Sequence, residues 1–95
     1  MFDDQYIGRR LDDFVSEVAP YTKLRDLRLA GPETMDFGGD LMYSWQIIGE
    51  DPGNSSVGKV IYLFPSQGEI WADTEGNLVF SDLEKALKYL EKDLC

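Results

Sequence analysis

The chain has 95 residues, 43% of them hydrophobic and 13% aromatic, and carries 18 acidic side chains against nine basic ones for a net charge of −9. That length makes a single domain, residues 1–95, able to bury about 60 to 70% of its unfolded surface without metal or disulfides, and the hydrophobic content argues for a packed core rather than disorder. A field of this sign repels nucleic acid and anionic membranes and speeds encounter with a basic partner, which argues against direct DNA or RNA binding.

Solubility is the plainer use of the same charge. The lone cysteine, Cys95, has no intramolecular partner. That rules out a disulfide framework and fits a reducing, cytoplasmic setting. No run of about 18 apolar residues is present, nor a charged segment leading into a long apolar one, so no membrane segment is expected.

Asp3 or Asp4 suits a helix N-cap. Ile7, Leu11, Phe14, Val15 and Val18 then recur at helical spacing until Pro20 ends the pattern. Gly8 inside that helix costs about 1 kcal/mol relative to alanine, so either the helix starts late or something packs closely there. Arg9, Arg10, Asp12, Asp13 and Glu17 lie off the apolar stripe and read as a solvated face. In Lys23 to Ala30, Leu27 and Leu29 alternate as in a strand while Leu24 and Leu27 also fit a helical turn; the segment is read as a strand. Gly31 to Thr34 reads as a turn, and Asp36 to Asp40 as a flexible connection.

Leu41 to Ile48 alternates most clearly, with Leu41, Tyr43, Trp45 and Ile47 on the core face and Met42, Ser44, Gln46 and Ile48 on the other. Glu50 to Val57 forms a long hairpin connection. Val60 to Phe64 is a continuous apolar run, which predicts a central strand covered on both faces. Pro65 to Gly68 turns the chain into Glu69 to Asp73, an alternating strand that forms a hairpin with the previous one. Thr74 to Asn77 is another turn, leading into Leu78 to Phe80. Ser81 with Glu84 reads as a capping box that starts a helix near Asp82. Leu83, Ala86, Leu87, Leu90 and Leu94 form its apolar stripe, and Glu84 with Lys88 an i,i+4 pair. The order predicts an α+β domain: an antiparallel sheet of four to five strands with both terminal helices on one face.

Few residues carry recognisable chemistry. Gly53 to Lys59 matches the first seven positions of the phosphate-binding loop G-x-x-x-x-G-K-[ST]. The eighth is Val60, which has no hydroxyl for Mg²⁺, and it opens a strand, so no helix N-terminus points at a phosphate. Histidine is absent, removing the commonest general base at neutral pH and the usual zinc ligand. Cys95 has no fixed partner to activate it. Carboxylate pairs remain, Asp3 with Asp4, Asp12 with Asp13, Glu50 with Asp51 and Asp73 with Glu75, but none has a diagnostic spacing. No catalytic, metal or cofactor residue is assigned.

The positive feature is aromatic. With Ile70 and Ala72 facing the helices, Trp71 emerges on the opposite sheet face between Glu69 and Asp73, near Ser44 and Gln46 of a neighbouring strand. An aromatic anchor ringed by acids suits a basic partner; the alternatives are that the two faces are reversed, since large aromatics on strands are more often core than interface, or that this face closes a homodimer. The leading expectation is a non-enzymatic acidic binding protein of the inhibitor or immunity type. It would be a monomer or homodimer and would neutralise a basic protein such as a nuclease toxin through Trp71, Glu69, Asp73, Gln46 and Ser44. An acidic chaperone or homodimeric adaptor comes second and a carboxylate-dependent enzyme third.

Overall fold

Asp3 adopts an extended conformation and its side chain accepts from the Gln5 backbone N–H at 3.0 Å. This N-cap starts helix α1, Asp4–Val18, whose Ile7, Leu11, Phe14, Val15 and Val18 are all buried. The helix runs through Gly8, and the neighbour there is Trp45: a Cβ built on the glycine would lie 3.6 Å from the indole nitrogen. The computed structural model describes residues 3–53, 55–73 and 78–95, with Phe37 and Asp73 described by their backbone only. The turn expected at Thr74 to Asn77 lies outside the described residues.

Five strands come next: β1 (Arg25–Phe37), β2 (Asp40–Glu50), β3 (Ser56–Phe64), β4 (Glu69–Asp73) and β5 (Leu78–Phe80). They pair in sequence order and every pairing is antiparallel, so β3 is central and β1 and β5 are the edges. Helix α2, Leu83–Leu94, closes the chain. The result is a compact α+β domain with both helices on one sheet face, as the element order predicted.

The first strand is longer than expected because the predicted turn at Gly31 to Thr34 is part of it. The pairing register shifts between Ala30 and Glu33, so Gly31 and Pro32 are absorbed by a bulge. On an edge strand, proline's missing N–H costs no ladder bond. The reversal comes later, at Gly38 and Gly39, where φ values of 62° and 94° make a two-residue hairpin turn that left-handed glycines favour. The expected flexible connection is therefore tight. In the next connection the Asp51 carboxylate accepts from the Gly53 and Ser55 N–H groups at 3.0 and 2.9 Å, a local turn that shortens the loop to Asp51–Ser55.

One core joins helices and sheet. Trp45, Ile47, Ile61, Leu63, Ile70 and Ala72 supply the sheet side, and the apolar stripes of α1 and α2 cover them. Leu41 departs from expectation: it alternates onto the helix side but is 46% exposed. It sits beside the hairpin turn, opposite Asp36, at the end of the sheet. Gly49 marks a close approach, since a Cβ there would come within 2.8 Å of the Leu24 Cβ and 3.1 Å of a Leu27 methyl.

Two further corrections concern α2. Asp82, not Ser81, is the N-cap; its carboxylate accepts from the Glu84 N–H at 3.1 Å. The Glu84 side chain in turn holds Arg10 of α1 rather than Lys88. At the other end of α2, the Thr22 hydroxyl donates to the Leu94 carbonyl at 2.6 Å, satisfying a terminal helix acceptor. Among the described residues, no helix is long and apolar enough to cross a membrane.

Candidate functional site

Because paired antiparallel residues project to the same side, the register places side chains on faces without ambiguity. Ile61 pairs with Ala72 and Leu63 with Ile70, and all four belong to the core under the helices. Their neighbours project the other way. Ser44, Tyr62, Trp71 and Val79 form one cross-strand row on that outer face, with Glu33 at its β1 end. Gln46, Val60 and Asp73 lie in the adjacent row, and Glu69 stands opposite Phe64.

All five residues singled out from the sequence, Trp71, Glu69, Asp73, Gln46 and Ser44, thus occupy the sheet face turned away from both helices. Their spacing differs from expectation in one respect. The central strand β3 intervenes between β2 and β4, which puts Ser44 about 10 Å from Trp71 across two strand spacings. Tyr62 fills the gap. For Asp73 only the strand position is described.

Trp71 is half-buried on this open face. Its ring meets Phe64 edge-on, with centroids 6.0 Å apart and an interplanar angle of 64°, a favoured aromatic geometry. The indole Nε1 donates to Glu69 Oε1 at 3.4 Å. The acid beside the aromatic therefore helps to orient it while one carboxylate oxygen remains for another donor. Val60, Tyr62 and Phe64 are half-buried, Val79 is 47% exposed and Met35 50%.

These residues extend the site beyond the sequence reading, and they refine one expectation: β3 is buried on one face and only half-buried on the other. The continuous apolar run at Val60 to Phe64 conceals alternation because Val60, Tyr62 and Phe64 are themselves apolar. The available signal was a count of covering elements, since two helices on one side leave the opposite side open. A shallow cavity of about 300 Å³ adjoins this surface, lined by Gln46, Ile48, Gly58 and Val60 among others.

The other sequence candidates scatter. Lys59, the lysine of the phosphate-loop match, lies on the helix side of β3, buried, with Nζ 3.1 Å from Asp93 Oδ2 of α2. It holds helix to sheet rather than offering a cation to a phosphate. Asp3 caps α1 and Asp51 closes its own loop, so two of the four carboxylate pairs have one member committed to backbone. Asp12 and Asp13 are exposed, and Glu75 lies outside the described residues. Among the described residues, no three His, Cys, Asp or Glu side chains converge into a group able to hold a metal ion. Comparison with known proteins finds no match to this chain among family models, curated proteins or solved structures.

Proposed function

We propose that the outer sheet face docks a basic protein partner, and that the chain acts as a non-enzymatic inhibitor or immunity-type protein that neutralises it, as it would a nuclease toxin. The observation that carries this reading is the half-buried Trp71, edge-packed on Phe64 and hydrogen-bonded to Glu69, on a partly exposed apolar band of the sheet face turned away from both helices. Aromatics in such a band gain most from burial in a complex, while acids at the rim steer and orient a cationic partner. The net charge of −9 extends that steering over the whole molecule.

A second reading uses the same band, with a second copy of the chain as the occupant in a homodimeric adaptor. Salt separates the two. A basic partner associates more slowly as salt rises, whereas two chains of like charge associate more readily. The deciding experiment is affinity capture of basic proteins from source-cell extract at low and high salt with wild type and Trp71→Ala, alongside sedimentation of the free chain. Capture of one basic protein that weakens with salt and disappears in Trp71→Ala supports the inhibitor reading. A salt-strengthened dimer that Trp71→Ala dissociates supports the adaptor instead.

A further inference from the structure

We infer that the groove between α1 and the β1 edge is a second binding site, one that takes an extended peptide segment bearing a lysine or arginine. The groove has a volume of about 520 Å³ and is lined by Asp4, Gly8, Arg9 and Asp12 of α1, by Gly31 of the β1 bulge and by Trp45. That volume falls within the usual range for ligand sites. The α1 wall lacks a side chain at Gly8, beside the indole, while at Gly31 the bulge lies so close to β2 that a Cβ would meet the Ser44 carbonyl at 2.7 Å.

Trp45 is the observation that points to an occupant. The residue is 1% exposed; its indole N–H has no acceptor among the described residues, and since no fully buried side-chain donor there is left unpaired, that N–H opens on the groove. It lies in the groove against Gly8, where a Cβ would stand 3.6 Å from Nε1. Water in an open groove can serve that donor, so an apolar occupant displacing the water would leave it unpaired at a cost. A favourable occupant must bring an acceptor. A peptide carbonyl does so.

The shape and charge of the groove specify the rest. Asp4 and Asp12 are eight residues apart on one helix, about 12 Å along its axis, which matches three to four residues of extended chain. Two carboxylates against the single Arg9 give the wall a negative balance, within a chain of net charge −9. The complementary peptide is cationic. This site lies on the helix side of the sheet and does not depend on the outer-face reading.

The two tryptophans report the two sites separately. In the ¹⁵N-labelled full chain, with the indole resonances assigned through Trp71→Phe, acetyl-Gly-Lys-Gly-amide should shift the Trp45 indole signal saturably and leave that of Trp71 in place. Acetyl-Gly-Glu-Gly-amide should not shift it. The Asp4→Asn, Asp12→Asn double variant, which alters only groove-rim carboxylates, should weaken binding on the order of tenfold. Gly8→Leu should block it. A Trp45 signal that stays still at millimolar peptide, responds equally to both peptides, or is unaffected by the carboxylate changes would overturn the site. Movement of Trp71 alone would overturn it too, while favouring the outer face. If Gly8→Leu loses the dispersed spectrum of the fold, the carboxylate variant decides.

Discussion

Arg10 of α1 grips Glu84 of α2 with two parallel hydrogen bonds, Nε to Oε2 at 2.9 Å and Nη2 to Oε1 at 3.0 Å. The same guanidinium reaches Glu17 at 3.4 Å. It thereby joins the first and last helices of the chain over the sheet they share. The hydrogen bond to Glu84 is the main reason that Arg10 is held above the ordinary arginine pKa. A raised pKa stabilises the fold below the ordinary value and is lost only as pH rises through the higher one, so the arginine side of this contact is constant across the neutral range.

The Arg10 side chain is 24% exposed and Glu84 is 53% exposed, so solvent screens the pair. A double-mutant cycle with Arg10→Met and Glu84→Gln should give a coupling of about 0.5 to 1 kcal/mol, toward the upper end for an exposed pair because the contact is bidentate. The coupling should shrink at high salt. A coupling of zero at low salt would mean that the two helices are held together by their apolar faces alone.

Gly8 and Gly49 should respond to alanine with opposite signs. At Gly8 the new methyl would meet Trp45 at 3.6 Å, an ordinary contact, and the gain in helix propensity should stabilise the fold by about 0.5 to 1 kcal/mol. At Gly49 it would come within 2.8 Å of the Leu24 Cβ, an overpacking that should cost about 1 to 3 kcal/mol. Denaturant midpoints of the two variants check both signs. If both destabilise equally, the room beside Trp45 is not there.

The cap assignment at α2 is tested by Asp82→Ala against Ser81→Ala. Asp82 accepts the Glu84 N–H, so its loss should cost about 1 kcal/mol. Ser81 is exposed, and its loss should fall within about 0.5 kcal/mol. The reverse ranking in thermal melts would restore the serine capping box.

Leu87, 3% exposed within the shared core, should cost about 2 to 5 kcal/mol when truncated to alanine. Trp71→Ala, on the open face, should leave the melting midpoint within a few degrees of wild type, on the order of 1 kcal/mol. Comparable losses in the two variants would place Trp71 in the core and remove the outer face as a docking surface.

Local pattern by itself determined much of this protein. The 3.6-residue periodicities at Ile7 to Val18 and Leu83 to Leu94 and the alternation at Tyr43 to Ile47 and Glu69 to Asp73 set which side chains meet in the core, because apolar spacing and element period coincide there. The same alternation put Trp71, Glu69, Asp73, Ser44 and Gln46 on one face before any pairing was known. Tertiary structure decided what local pattern left degenerate. Gly31 and Pro32 are turn residues by chemistry, yet the sheet edge absorbed them as a bulge, since no ladder bond was forfeited. Ser81 and Asp82 are both good caps, and in the fold it is the Asp82 carboxylate that meets a helix N–H, that of Glu84. Glu84 had Lys88 within helical reach but met Arg10 instead, a partner 74 positions away that only helix packing could bring near. The apolar run at Val60 to Phe64 concealed which half of it is uncovered, because coverage depends on where the helices lie, not on the strand's own residues. The groove at Trp45 arises in the same way: its walls come from α1 and from the bulged edge of β1, and only packing the helix along that edge brings them together.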